Sequence, residues 1–326
     1  MSTPERIPAD LVVCRLAQLA TPGGETGQPL RGAALDNVEV HSGDMWIAAY
    51  AGEIVAVGHG HEVRDQLDLD DGAVIIDAPG MVAVPGLIDC HTHACFAGDR
   101  VEEFDQRSRG ASYEAIHAAG GGILSTVKAT RAASQADLTA TTRRHLAAML
   151  EHGTTTVEVK SGYGLDAETE NSMLRAIQES GYESAAHIVP TCLAAHAVPA
   201  EAESADAYIQ TCIDDILPDI VEWGLAEAAD VFVEGGAFDV DQARRYLEAA
   251  RDHGLALRLH GDQFSEIGAI DLAIELGARS STRAGCSPSP PTSIPARAPA
   301  TRCPLSCTSP ARSSTSRRQR RSRPSR

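Results

Sequence analysis

The chain has 326 residues, of which 43% are hydrophobic and 22% charged. That is enough for one large α/β domain with a small accessory one. A formal net charge of −17 excludes general nucleic-acid or anionic-membrane binding, because a polyanion would be repelled. No run of about 18 apolar residues occurs, so no transmembrane helix is expected. Met1 to Asp10 contains no apolar h-region, which argues against a secretory signal. The eight cysteines are scattered without zinc-ribbon spacing. A cytoplasmic protein with reduced thiols is the expectation.

Residues 1–84 read as a β-rich part. Ala51–Gly58 and Val74–Asp77 are short β-type runs bounded by glycine and acidic residues. Pro85-Gly86 forms the exit from this part. From residue 85 to about 280 the pattern becomes strand, loop, helix, repeated. Strands are expected at Leu87–Asp89, Thr154–Lys160, Ala186–Leu193, Asp230–Glu234 and Leu255–His260. Helices are expected at Gly122–His152, Ala167–Ser180, Ala205–Trp223, Val240–His253 and Ser265–Gly277. About five βα units in series demand a parallel sheet covered by helices. Either a (β/α)8 barrel or a doubly wound sheet satisfies that pattern.

At about Ser280 the character changes. Residues 281–326 carry about ten Arg, no Asp, Glu or Lys, and three of the eight Cys, among Ser, Pro, Thr and Ala. No period of 2 or 3.6 is present, and such a composition buries too little apolar surface to offset its ordering entropy. Three readings compete: a disordered Arg/Ser tail that binds RNA, a native disordered extension, and an out-of-frame translation of a G+C-rich gene. The abrupt change, falling where a sixth strand should begin, favours the last.

The chemistry centres on Val84-Pro-Gly-Leu-Ile-Asp-Cys-His-Thr-His93. Residues two apart on a strand share a face, so His91 and His93 can offer two imidazoles to one ion. Neutral imidazole nitrogen suits Zn or Fe. His-x-His alone is weak: with twelve His, chance supplies a pair in roughly a third of shuffled chains. His59-Gly-His61 is such a pair, outside the βα repeat and flanked by Gly58, and it reads as a solvated turn. His91 and His93 instead follow an apolar strand, and His260 closes the fifth strand at its C-terminal end. One barrel face would then offer three imidazoles; three unrelated structural histidines are the plainer alternative.

Pro-Gly-Leu-Ile-Asp-Cys-His-Thr-His resembles the first-strand signature of the metal-dependent amidohydrolase superfamily. Further runs are similar to its imidazolonepropionase family: Ala97-Gly-Asp-Arg-Val-Glu-Glu-Phe104, Ala119-Gly-Gly-Gly-Ile123, Glu158-Val-Lys-Ser-Gly-Tyr-Gly-Leu165, Thr191-Cys-Leu-Ala-Ala-His-Ala-Val-Pro199 and Leu259-His-Gly-Asp-Gln263. The likeness extends from about residue 10 to 280. It implies a (β/α)8 TIM-type barrel, about five βα units of it present, beside a small β-sandwich built from both chain ends. The expected organisation is therefore a sandwich part at 1–84, a partial barrel with the metal site at 85–280, and the aberrant tail at 281–326.

The resemblance implies one divalent or trivalent metal ion, Zn or Fe, held by His91, His93 and His260 together with an Asp on an eighth strand. It implies substrate contacts from Arg100, Tyr113, Tyr163, His196 and Gln263, with His196 and Gln263 also expected to be catalytic. The implied activity is hydrolysis of 4-imidazolone-5-propanoate to N-formimidoyl-L-glutamate in histidine degradation. A homodimer is a family expectation; no nucleic-acid or membrane partner is implied.

The residue chemistry is compatible with that substrate. Arg100 offers a bidentate fork for the propionate, although pairing with Glu102 or Glu103 at the surface is the plainer reading. His196 could donate to the ring carbonyl as its oxygen becomes anionic. Gln263, an amide, can hydrogen-bond but cannot act as a base. Tyr163, between Gly162 and Gly164, reads as a turn residue without the family match, and Tyr113 as a packing residue at a helix start. Glu234 ends the fourth strand facing the site, in a supporting position. Asp262 stands beside His260 but on a loop, poorly placed to act as a base. No sixth, seventh or eighth strand can be read, so the chain as written is expected to fold poorly and to be inactive. The alternatives are another cyclic-amide hydrolase or aminohydrolase, or a non-catalytic fragment.

Overall fold

The computed structural model describes residues 6–23, 30, 32–110 and 121–282. Two sheets organise the described residues. The first is formed by β1 (Ile7–Pro22), β2 (Val38–Tyr50), β3 (Glu53–His59), β4 (Leu67–Asp77) and β5 (Val82–Ala83), in the order β3-β2-β1-β4 with β5 also on β1. β1–β2 and β2–β3 are antiparallel, while β4 and β5 run parallel to β1. Ala9, Val12, Cys14, Ala48 and Leu67 close its small core. The long β1 and β2 were not anticipated from sequence. Between β3 and β4, Gly60–Val63 forms a single helical turn, α1.

The second sheet is wholly parallel: β6 (Leu87–Thr92), β7 (Thr154–Lys160), β8 (His187–Ala195), β9 (Ala228–Val233), β10 (Ala256–Gly261) and β11 (Arg279–Thr282). Its order is β11-β10-β9-β8-β7-β6. Each strand lies beside its sequence neighbour and the order never reverses. A doubly wound sheet needs a reversal point; uninterrupted order is the barrel arrangement. The two architectures left open by the βα pattern are thus separated, and the sheet is a partial barrel. It carries one strand more than the sequence pattern predicted, because four residues from Arg279 pair in register with Arg258–Gly261. Four residues are too short a run to show a period.

The helices are α2 (Val101–Ser108), α3 (Ile123–Ala132), α4 (Gln135–Glu151), α5 (Ala167–Tyr182), α6 (Ala205–Thr211), α7 (Leu217–Glu222), α8 (Val240–Asp252) and α9 (Ala269–Leu276). Three differ from expectation. The long helix over Gly122–His152 is two helices, because Ser134 accepts the Asp137 N–H while the Asp137 side chain returns to the Ser134 backbone, a capping box that starts a new helix. The helix over Ala205–Trp223 is continuous but passes through a π-helical segment, Cys212–Ile216, just before Pro218; the wider spacing accommodates the missing proline N–H. The helix expected from Ser265 starts only at Ala269, because Asp262 and Glu234 hold the preceding residues in a loop.

Alternation along the strands separates two environments. Val157 and Val159 on β7, Cys192 on β8, and Ala229, Val231 and Val233 on β9 join the core with α5 and α8. Met173, Leu174 and Ile177 of α5 and Tyr246 and Leu247 of α8 are fully buried there. The opposite, inner face carries Glu158, Lys160, Asp230, Arg258 and His260. Truncating Ile177 to Ala leaves a cavity in the outer layer. We expect a loss of about 2–5 kcal/mol, read as a lower urea midpoint with an unchanged denaturant slope; a midpoint within error of the parent would contradict this packing.

Candidate metal centre

Parallel strands place all their C-terminal ends on one side of the sheet, where barrel sites form. His91 lies at the end of β6, with His93 just beyond it, and His260 at the end of β10. One nitrogen from each of the three rings lies within 4.8 Å of the others. His91 Nε2 and His93 Nε2 are 3.3 Å apart, and the His91 and His260 ring centroids 5.1 Å apart. The sequence decoy behaves differently: His59 ends β3 with Nδ1 donating to the Gly43 carbonyl at 2.8 Å, and the His61 side chain is solvated.

Burial, and then the Lys160 charge, hold His91 down at about 3. Burial, then His196 and the other imidazoles, keep His93 well below the usual histidine range. Both are therefore neutral and carry free lone pairs near neutral pH. His93 Nδ1 is buried with no protein partner. Converging neutral imidazoles with an orphaned ring nitrogen are a donor set that suits a metal cation.

A second layer surrounds the cluster. His196 follows β8, its ring 5.0 Å from His93 and 5.7 Å from His260. Its Nδ1–H donates to the Gly162 carbonyl at 2.8 Å, which leaves Nε2 as an acceptor in the neutral ring. Burial first, then His260, hold this histidine at about 3. Tyr163 follows β7, 5.9 Å from His93 and 5.3 Å from His196 between ring centroids. Its loop is pinned by Glu170, a fully buried carboxylate of α5 that accepts the N–H groups of Gly162, Gly164 and Leu165 at 2.8–3.0 Å. Gly162 has φ +104°, and a Cβ there would come within 3.0 Å of His196. Glycine is needed at this position.

The remaining sequence candidates lie elsewhere or are otherwise engaged. Arg100 is half-exposed and pairs with Glu103, whose carboxylate also accepts the Gly122 N–H and the Ser125 hydroxyl. Gln263 is exposed on the loop after β10, and its backbone N–H donates to Glu234. Tyr113 lies outside the described residues. Asp262 accepts the N–H groups of Ile267, Ala269 and Ile270 at 2.9–3.3 Å and so caps α9.

The acid beside His260 is therefore Asp230, not Asp262. Both oxygens of Asp230 lie 3.1 Å from His260 Nδ1. Lys160 Nζ donates to Asp230 at 2.6 Å and to Glu158 at 2.7 Å. Thr191 Oγ1 donates to the same Glu158 oxygen, and the Arg258 guanidinium lies 2.8 Å from it. Burial would push Asp230 up, but Lys160 and His260 outweigh it and keep it ionised. Sequence reading missed this network. Its signal was charged residues at even spacing within apolar strands, Glu158 and Lys160 in TTTVEVK and Arg258 in LALRLH, which are buried only when paired.

A sequentially ordered parallel sheet with histidines converging at its strand ends is the barrel arrangement with a candidate metal centre at the site end. The chain belongs to the amidohydrolase family, whose model matches residues 82–284. It is 55% identical over 252 residues to an imidazolonepropionase of Rubrobacter xylanophilus, covering 77% of this chain and 60% of that one. With an imidazolonepropionase of Herpetosiphon aurantiacus it shares 45% over 278 residues, covering 83% and 63%. The chain thus spans under two thirds of the length of these relatives. A 5-methylcytosine deaminase from Klebsiella pneumoniae has the same fold, with a TM-score of 0.53 at 14% identity, over 82% of this chain and 55% of that one.

Glu234 yields a pH prediction. It is buried and accepts the N–H groups of Gly235, Gln263 and Phe264 and the Ser265 hydroxyl. Burial pushes its carboxyl up, but these donors outweigh burial and hold it at about 2, against 4.5 when free. A depressed carboxylate contributes stability in full above its unfolded value and loses it as pH falls through the folded one. We expect E234Q to cost roughly 1–3 kcal/mol near neutrality. The gap to the parent should be constant down to about pH 5, narrow below 4.5 and close near 2, by urea titrations across pH. A gap that holds steady to pH 2 would exclude the ionised anchor.

Proposed function

We propose that this chain carries the metal-binding and ring-binding part of an imidazolonepropionase, the enzyme that opens 4-imidazolone-5-propanoate to N-formimidoyl-L-glutamate. The observation that carries the reading is the convergence of His91, His93 and His260 within 4.8 Å at the strand ends, with His196 and Tyr163 beside them. The two relatives named above bear that activity in their names.

In this reading His91, His93 and His260 hold one Zn or Fe ion; three imidazole donors suit both. When bound, the ion supplies a Lewis acid that makes water nucleophilic near neutral pH. His196 Nε2 accepts the imidazolone ring N–H, the role its Nδ1–H bond to Gly162 leaves the neutral ring. Tyr163 closes over the ring and excludes water. Arg100 exchanges Glu103 for the substrate propionate. Glu103 is held separately by Gly122 and Ser125, so the exchange strands no charge, and at a half-exposed site it costs little. Gln263 and Tyr113 complete the substrate contacts. Delivery of the water proton to the leaving nitrogen falls to the eighth-strand Asp that the resemblance implies, for which residues 281–326 offer no Asp.

The test joins residues 1–282 to the part of the Rubrobacter xylanophilus relative that lies beyond the match. The joined protein should consume imidazolone propionate and release N-formimidoyl-glutamate without ammonia. R100Q in that protein should raise KM about 10–100-fold, the worth of one charge-assisted pair, with a smaller change in kcat. Ammonia release would reassign the chain to an aminohydrolase activity, and an unchanged KM would remove Arg100 from the substrate site.

A further inference from the structure

The inner face of the partial barrel holds a charge network that the reaction above does not use. Glu158 and Lys160 come from β7, Thr191 from β8, Asp230 from β9, and Arg258 and His260 from β10. Lys160, Glu158 and Asp230 are at most 2% exposed. Two carboxylates and two cations balance, so the group is neutral as a whole. Neutrality and burial alone would suit a structural filler, and apolar side chains of similar volume would fill such a space at least as stably. An apolar filling has no hydrogen-bond acceptor to direct at one nitrogen of one histidine, and the Asp230 carboxylate supplies that acceptor.

We propose that Asp230 is a positioning residue for the metal centre: it accepts the Nδ1–H of His260 and so fixes the ring tautomer whose Nε2 lone pair is free for the cation. The inference rests on His260 being a metal ligand. Three observations carry it. Both Asp230 oxygens lie 3.1 Å from Nδ1, and a carboxylate can only accept, so the proton resides on Nδ1. Phe232, two residues along β9, pairs in register with His260 and stacks on its ring, 4.8 Å between centroids at 18°. Phe232 thus fixes the plane of the ring and Asp230 fixes which edge carries hydrogen. Lys160, bridging to Glu158, prevents Asp230 from turning away. A hydrogen bond of this kind orients a metal-binding histidine and makes its other nitrogen the better donor.

The substitution D230N keeps the shape and reverses the instruction. Lys160 needs an oxygen and takes the amide carbonyl, which leaves the amide NH2 facing His260 Nδ1. The histidine must then carry its proton on Nε2, the nitrogen the metal requires.

The experiment uses the full 326-residue chain with 15N-labelled histidine. Long-range 1H–15N correlation reads the tautomer in the metal-free protein, the His260 signal being assigned by its loss in H260Q. Zinc affinity and stoichiometry are read by competition with a chromophoric chelator. We expect His260 as Nδ1–H in the parent and Nε2–H in D230N. We also expect zinc affinity to fall about 10–100-fold in D230N and to recover in part in D230E. A parent His260 that carries its proton on Nε2, or D230N binding zinc as tightly as the parent, overturns the proposal while leaving the three-histidine site intact. A parent chain that binds no zinc overturns the metal site itself, and this proposal with it. If D230N does not fold, the parent tautomer decides.

Discussion

The ammonium of Lys160, buried between Glu158 and Asp230, is the interaction on which the rest of the inner barrel depends. A parallel sheet curled on itself directs every second residue of each strand into a shared interior. Here that interior is lined by charge. An isolated buried ammonium would cost several kcal/mol, so Lys160 must be met by acids from other strands, and those strands must then stand in one register. Glu158 lies two residues before it on the same strand and the same face. Asp230 reaches it from β9, across the intervening β8, whose Thr191 donates to Glu158. Three neighbouring strands are thereby locked by a single cation, directly beneath the histidines.

Above that layer the loops are held by the same device in a second form. Glu170 sits among the amides of the loop that carries Tyr163, and Glu234 among those of the loop after His260. Loops at strand ends that are drawn toward a site lose water from their backbone N–H groups, and each lost partner has to be replaced. A carboxylate with its several lone pairs replaces three or four at once. Gly261 contributes by size: a Cβ there would lie 2.4 Å from the Val233 carbonyl, so only glycine lets β10 close on β9 directly after His260. The site is thus set by residues that do not themselves face a ligand.

This division explains what could be read from sequence. Local periodicity placed the first five parallel strands, because an apolar run and its turn signals are contiguous. His91 and His93 were legible because two residues on one strand suffice, and His260 because it closes an apolar run. The capping box at Ser134 was equally local and could have divided the long helix. Asp230 was not legible in the same way: it meets Lys160 seventy residues away in sequence and only through the register of three strands. Asp262 was the nearer acid in the sequence but is consumed by the start of α9. β11 was hidden by its length, and the order of the strands, which separates a barrel from a doubly wound sheet, is a property of pairing alone.

The same cation also bears on the imidazoles above it. After burial, the Lys160 charge is the main influence holding His91 down at about 3, and it adds to the lowering of His93 and His196. A histidine that takes up a proton has no lone pair to give, so a ligand cluster benefits from surroundings that disfavour the protonated ring. That charge would ordinarily repel a metal ion as well. Here it is matched by Glu158 and Asp230 at 2.6–2.7 Å, and Arg258 lies against Glu158, so at the distance of an ion among the histidines the network is close to neutral. Burial, the leading cause for His91, His93 and His196, therefore keeps these three rings unprotonated, and the balanced network beneath them adds no net charge against a cation.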